Sequence, residues 1–415
     1  MKKVLILDGD AAHALAIIEC LRASGYQTAV LCNGTTNYGY HSRYANEKYL
    51  APDSHNTHKY FEFLTRFLDE HHFDVLIPTS DATALCMSTY REELSKKTGV
   101  LMPGPEVFMR GYDKNQLMAL CREKGYPHPL TVDVSKTAPG FDDLKEFPYP
   151  ALIKPNLTSG GRGMTLVNSY EEFISAYPAI HQQYGECHLQ QYIPQGGKQI
   201  KVQIFVDRDG SMKNCSVIWK QRYYPVNGGS SSCNVTVENP EVVKVCASVL
   251  KDIEWEGFAD FDLIEDSQTG ELLIMEINPR IPACIRSAFK SGMDFATMIA
   301  DATLSQPLRE YTYTPGKALR HLGFEILWFL KSPNRFKTYP NWFKFFGKNI
   351  YYQDWLRGNF SSFFWGTWGN FKKQMNPEFR KAKSGVQYID IEQVNRGGVM
   401  CVEFSIPYGL ILMAA

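Results

Sequence analysis

The residues of this 415-residue chain that could do chemistry fall in three short segments. Across 258–264 and 270–280 the apolar residues run or alternate as they do in strands, and 266–270 between them is rich in turn formers. Placing Asp262 opposite Glu276 leaves Gln268-Thr269-Gly270 as a three-residue loop. Its glycine then comes last, where a type I turn followed by a left-handed residue needs one. In that register Asp262 and Glu276 share a face, and Asn278, two residues on, joins them. Two carboxylates packed together resist ionising unless a cation lies between them. Oxygen donors of this kind suit Mg²⁺, which takes its other ligands from phosphate and water. An exposed acidic hairpin is the plainer reading of the same residues.

The second segment is the apolar run 151–155, which carries Lys154, followed by Thr158, Ser159, Gly160, Gly161, Arg162 and Gly163. The glycines free the backbone to turn N–H groups toward an anion, and the hydroxyls add donors. The lysine precedes the glycines, so this is not the G-x-x-x-x-G-K-[ST] loop, and a hairpin tip would use the same residues. In the third segment Lys220 and Arg222 stand before Pro225 and Gly229. Paired cations beside a glycine turn suit a carboxylate substrate, which a guanidinium binds through two parallel bonds; Arg286 is a further candidate. Surface salt bridging is the alternative for each.

These segments need strands to hold them. Residues 1–100 alternate strand and helix signals: a strand at 4–7, a helix at 11–21 stopping at Gly25, and strands at 28–31 and 74–78. That rhythm predicts a parallel sheet with helices on both faces. Its first turn lacks G-x-G-x-x-G, so no dinucleotide is expected there. Asp8 and the corner Thr79-Ser80-Asp81 lie at strand ends, where they could meet substrate or cap helices. A helix is expected over 113–124, ended by Gly125 and Pro127, and antiparallel strands over 199–205 and 258–276.

Composition bounds the classes. With 44 basic and 44 acidic side chains the chain lacks the cationic excess of a nucleic-acid binder. No apolar run reaches the 18 or more residues of a spanning helix, and 4–7 is too short for a signal-peptide core, so the expected location is cytoplasmic. Ten scattered cysteines without a C-x-x-C pair read as free thiols. Residues 331–383 hold eleven Lys or Arg against Asp354 and Glu378, and five of the seven tryptophans lie between Phe324 and Phe371. Packing of aromatic helices onto the body is the favoured reading of this region. Contact with bilayer headgroups is the alternative.

Taken in order, Lys154 on a strand, the Ser-Gly-Gly-Arg-Gly loop, Gln190-Gln191-Tyr192-Ile193-Pro194, Asp262 and Glu276-Ile277-Asn278-Pro279-Arg280 resemble the ATP-grasp superfamily. The nearest likeness is to carboxylate-amine ligases of the D-aspartate ligase and carbamoyl-phosphate synthase-like type. The resemblance implies an α/β and α+β chain in three parts. These are a Rossmann-like pre-ATP-grasp domain (1–108), a two-lobed ATP-grasp domain (109–310, lid about 127–190) and an aromatic-rich C-terminal extension (311–415).

It also implies roles. Lys114 and Lys154 would face the phosphates of ATP, Ser159 to Gly163 would form the flap over them, and Gln191, Tyr192 and Ile193 would read the adenine edge. Asp262, Glu276 and Asn278 would hold Mg²⁺ or Mn²⁺, and Arg280 would stabilise the transferred phosphoryl group. Gln190 and Gln199 stand where such enzymes commonly have glutamate, which weakens the expected grip on ribose. The implied activity is an ATP- and Mg²⁺-dependent ligation in which a carboxylate becomes an acyl phosphate and is joined to an amine. A carboxylase-like or carboxyphosphate-forming enzyme, and a nucleotide-binding regulatory or scaffold protein without turnover, are the alternatives. The expected partners are small carboxylates and amines and a second copy in a homodimer, with no nucleic acid; the inner face of a membrane is a partner on the alternative reading of the extension.

Overall fold

The computed structural model describes residues 1–137, 140–158, 161–226, 229–376 and 387–388. The chain forms two compact units, one of residues 1–129 and 193–381, the other of 130–192 and 382–415.

The first unit begins with strands β1 (Lys3–Leu7), β2 (Gln27–Cys32), β3 (Glu47–Leu50) and β4 (Val75–Pro78), all parallel, in the order β3-β2-β1-β4. Leu5, Leu7, Ala29, Leu31 and Leu76 enter one core, while Val4, Ile6, Val30, Cys32, Val75 and Ile77 enter another. Successive side chains of a strand point to opposite faces, so the sheet is covered on both sides, as the βαβ rhythm predicts. Strand β3 escaped the sequence reading because Glu47-Lys48-Tyr49-Leu50 has no apolar run; it is an edge strand with charged side chains.

The second unit is a smaller antiparallel sheet of β5 (Thr131–Asp133), β6 (Ala151–Pro155), β7 (Thr165–Val167) and β8 (Cys187–Gln191), ordered β7-β6-β8-β5. The short strand Gln387–Tyr388 pairs with β7. Ala151, Ile153, Cys187 and Leu189 pack against Phe173, Tyr177 and Ile180 of the helix Tyr170–Tyr184. Leu152, Lys154, His188 and Gln190 therefore project from the opposite face.

The first unit continues with a seven-stranded sheet of β9 (Gln199–Val206), β10 (Met212–Tyr224), β11 (Ser230–Val237), β12 (Gly257–Glu265), β13 (Leu272–Asn278), β14 (Ala318–Arg320) and β15 (Ile350–Tyr352). Its order is β13-β12-β9-β10-β11-β14-β15, antiparallel except for the last pair. Ile200, Val202, Ile204, Ala259, Phe261 and Leu263 bury one face in the core. The helix Lys114–Lys124 starts where Asp113 accepts hydrogen bonds from the N–H groups of Asn115 and Gln116, and it ends at Gly125 with φ 73°.

Strands β14 and β15 bring the aromatic region onto the same sheet, and a buried Arg-Glu-Arg group fastens it. Glu325, in the helix Leu322–Lys331, takes Arg222 Nε at 2.8 Å and Nη2 at 2.6 Å, with Arg320 Nε at 2.7 Å. Among the described residues no helix is long and apolar enough to cross a membrane, and the cysteines are free thiols.

Candidate active site

The hairpin β12–β13 sets the candidate site. Asp262 pairs with Glu276 and Asp260 with Asn278, the predicted register; beyond Asp262 it shifts, and Leu263 pairs with Ile274. Met275 is the extra residue of this bulge, which is why Ile274 and Ile277, three apart, both reach the core. The loop corrects the sequence reading. Asp266 N donates to Glu271 O at 2.9 Å and Gly270 N to Asp266 O at 2.7 Å, so four residues turn the chain, with Gly270 at φ 75°. One residue more in the loop and one more in the strand offset each other at the carboxylates.

Asp260, Asp262, Glu276 and Asn278 therefore lie on the face opposite the core, joined by Lys201, Gln203 and Lys220 from β9 and β10. Lys201 Nζ is 2.6 Å from Asp260 Oδ2 and 2.7 Å from Asp262 Oδ2, and Lys220 Nζ is 2.9 Å from Asp262 Oδ1. Asn278 Nδ2 donates to Asp262 Oδ2 at 3.0 Å. Arg280 donates from Nη2 to Asn278 Oδ1 and from Nε to Asp81 Oδ1, each at 3.1 Å. Lys114 Nζ lies 3.4 Å from Glu276 Oε2.

Burial raises the carboxyl of Asp262, but Lys201 and Lys220 together outweigh it and hold the group well below the usual range. Asp260, more deeply enclosed, is pushed up by burial in spite of Lys201. Burial opposes charge on Lys201 too, yet Asp260 and Asp262 keep it an ammonium, and Asp81 with the same pair does so for Arg280.

This face suits a hard divalent cation. Among the described residues no group of three His, Cys, Asp or Glu forms a metal cluster, so the donors would be two carboxylates and an amide. Asp262 Oδ1 keeps a lone pair beyond its bond from Lys220, whereas Oδ2 accepts from both Lys201 and Asn278, and Asp260 Oδ1 is buried without a hydrogen-bond partner.

In the second unit Lys154 is buried, and its Nζ donates to Gln190 Oε1 at 2.9 Å, while Gln190 Nε2 donates to Thr131 Oγ1 at 3.0 Å. Gln190 thus orients the lysine. The N–H of Gln191 is engaged by Leu130 O and that of Tyr192 by Pro150 O. Of the glycine loop, Ser159 and Gly160 lie outside the described residues. Thr158 Oγ1 donates to Arg162 O at 2.9 Å, and a Cβ on Gly163 (φ 75°) would come within 2.8 Å of the Tyr184 ring. Ile193 and Gln199 belong to the first unit, Gln199 opposite Lys220.

Arg222 does not join Lys220. The two residues are two apart on β10, but a register shift between them re-aims the arginine. Its guanidinium is fully buried and gives four of its five N–H groups to Glu325, Thr338 and the Pro340 carbonyl, so it does not face a substrate carboxylate. Arg286 is likewise held by Glu19 and the carbonyls of Tyr352 and Trp355. The sequence reading missed Asp260, Lys201 and the Asp81–Arg280 bond. Gln199, Lys201 and Gln203 alternate with Ile200, Val202 and Ile204, and that period of two was the signal for Lys201.

The stretch of chain that carries these residues is similar to known proteins. Residues 113–311 match the family described as carbamoyl-phosphate synthase L chain, ATP binding domain, and are an ATP-grasp domain of that type. Among similar curated proteins, the carbamoyl phosphate synthase large chain of Pseudothermotoga lettingae is 22% identical over 288 residues, 64% of this chain and 24% of that one. The D-aspartate ligase of Enterococcus faecium is 23% identical over 265 residues, 60% of this chain and 63% of the ligase. The aligned chain thus spans less than two thirds of either relative. The biotin carboxylase domain of Hydrogenobacter thermophilus 2-oxoglutarate carboxylase, solved with MgADP and bicarbonate, shares the fold. It has a TM-score of 0.64 at 20% identity, covering 76% of this chain and 73% of that one.

Proposed function

We propose that the protein is an ATP- and Mg²⁺-dependent ligase that joins a carboxylate to an amine. The observation that carries this reading is the convergence of Asp262, Glu276 and Asn278 on one sheet face, ringed by Lys114, Lys201, Lys220 and Arg280. Asp262, Glu276 and Asn278 would hold Mg²⁺, which lowers the repulsion between an incoming carboxylate and the triphosphate. In the first unit Lys114 is the phosphate-binding lysine; in the second, Lys154 and the loop through Arg162 and Gly163 are the phosphate-binding elements, and Gln191 and Tyr192, with Ile193 next in the chain, are the adenine-binding segment. Arg280, held by Asp81, presents its charge where phosphoryl transfer develops anionic character. Lys220 orients the carboxylate.

The carboxylate oxygen attacks the γ-phosphorus and ADP leaves. The amine nitrogen then attacks the acyl carbon, phosphate leaves with the bond electrons, and the amine proton passes to it. Catalysis is positioning and electrostatics. The bicarbonate in the similar carboxylase favours one variant of the scheme, in which the acid activated is bicarbonate. We place the boundaries of the nucleotide-binding part near 109 and 310 and take small carboxylates and amines as its partners.

The test is ADP and phosphate release across panels of carboxylates, with and without amines. Wild-type protein should release ADP only with Mg²⁺ and a matching pair, and Glu276→Gln should lose at least about 100-fold while keeping its circular dichroism and melting profile. Full activity in Glu276→Gln would remove the metal assignment. Release with bicarbonate alone would select the carboxyphosphate variant.

A further inference from the structure

The helix Phe360–Met375 is built inside out. Its protein-facing side is small or polar: Ser362 Oγ bonds Tyr38 O, a Cβ on Gly366 would come within 2.4 Å of the Tyr38 ring, and one on Gly369 within 2.5 Å of Thr36 O. The glycines let the backbone lie flat against the body. Most of the large side chains point the other way: Phe360 is 65% exposed, Phe364 52%, Trp368 43%, and Phe371 and Met375 are exposed beside them, while Trp365 stacks on His41 and Phe363 is half-buried against Trp355. A surface helix of a globular protein turns its apolar stripe inward, and this one does the reverse.

Charge narrows what can cover it. From 355 to 376 the chain carries Arg357, Lys372 and Lys373 and no acid. Lys372 Nζ sits 5.6 Å from the Trp368 ring centroid. The pattern repeats at 335–348, where Phe336, Tyr339, Phe343 and Phe346 are exposed among Arg335, Lys337, Lys344 and Lys348, again without an acid. A symmetric contact between two copies would set these cations against one another with no acid to pair them. Aromatic rings beside lysines, in stretches of sequence without an acid, match instead a surface with anionic headgroups over an apolar interior.

We propose that this helix face docks on an anionic lipid bilayer, lying in the interface with its rings among the headgroups and Lys372 on lipid phosphate. Flotation of the full chain with phosphatidylglycerol-containing vesicles tests it, with phosphatidylcholine vesicles as control. The protein should float with the anionic vesicles alone, detach at high salt, and show a blue shift of tryptophan emission on binding. Lys372→Gln should weaken binding roughly fivefold. Phe364→Ser with Trp368→Ser should abolish it, with the melting temperature unchanged because both rings are exposed. Three results would overturn the proposal: wild-type protein left behind by anionic vesicles, flotation of the double variant like wild type, or a dimer in sedimentation that Trp368→Ser dissolves.

Discussion

Asp260 and Asp262 stand two residues apart on one strand, so both carboxylates reach the same face, and Lys201 on the neighbouring strand touches both. Removing one partner of a buried ion pair leaves an uncompensated charge, which costs more than the intact pair contributes. Lys201→Met should therefore destabilise the fold by about 3–5 kcal/mol in urea unfolding, and adding Asp260→Asn should recover part of the loss. An unchanged midpoint in the single variant would mean that the lysine is not the counter-ion. At this scale Glu276, Asn278 and Arg280 were legible because a short segment holds them. Lys201 was harder to find, since it lies 61 positions before Asp262 and only the sheet order brings it there. For Arg222 residue type misled: a guanidinium suits a buried carboxylate partner as well as a substrate, and no local pattern tells which it has.

The hairpin shows what an element's sequence does and does not reveal. Apolar alternation located β12 and β13, and the glycine located the turn, but a bulge leaves little trace in composition. The loop length was therefore one short, while the pairing of Asp262 with Glu276 came out right. Edge strand β3 had no apolar pattern to find. The Arg222–Glu325–Arg320 group ties helix Leu322–Lys331 to strands β10 and β14. Glu325→Gln keeps the shape and removes the charge, so both guanidinium groups lose their counter-ion. We expect a loss of about 3–5 kcal/mol in unfolding free energy, with hydrogen exchange rising first in the helix Leu322–Lys331. Protection there equal to wild type would contradict the account.

For the molecule as a whole, pH response offers a test that no single contact gives. His13, enclosed by the fold, is pushed down to about 4, by burial first and then by Arg280, against an ordinary 6.5. Between those values the unfolded chain takes up a proton that the folded chain refuses, so acidification from about pH 6.5 to about 4 destabilises the fold by roughly 3 kcal/mol. Asp10, held up to about 6 mainly by burial, acts in the opposite sense as pH falls toward the ordinary carboxylate range. His13→Gln removes only the first effect, so stability plotted against pH should lose its histidine limb and keep the other. An identical acid limb in the variant would rule out His13.

The parallel sheet, the covered core and the charge balance could be anticipated from periodicity and composition. The seven-strand order could not, because partners in it meet across long stretches of chain. The buried triad also has a meaning for descent. A lineage that lost the acid at 325 while keeping the region around it would strand the Arg222 and Arg320 cations in a dry interior. Loss of that acid becomes survivable only once uncharged residues have taken both places, so the order in which these changes can be fixed is set in advance.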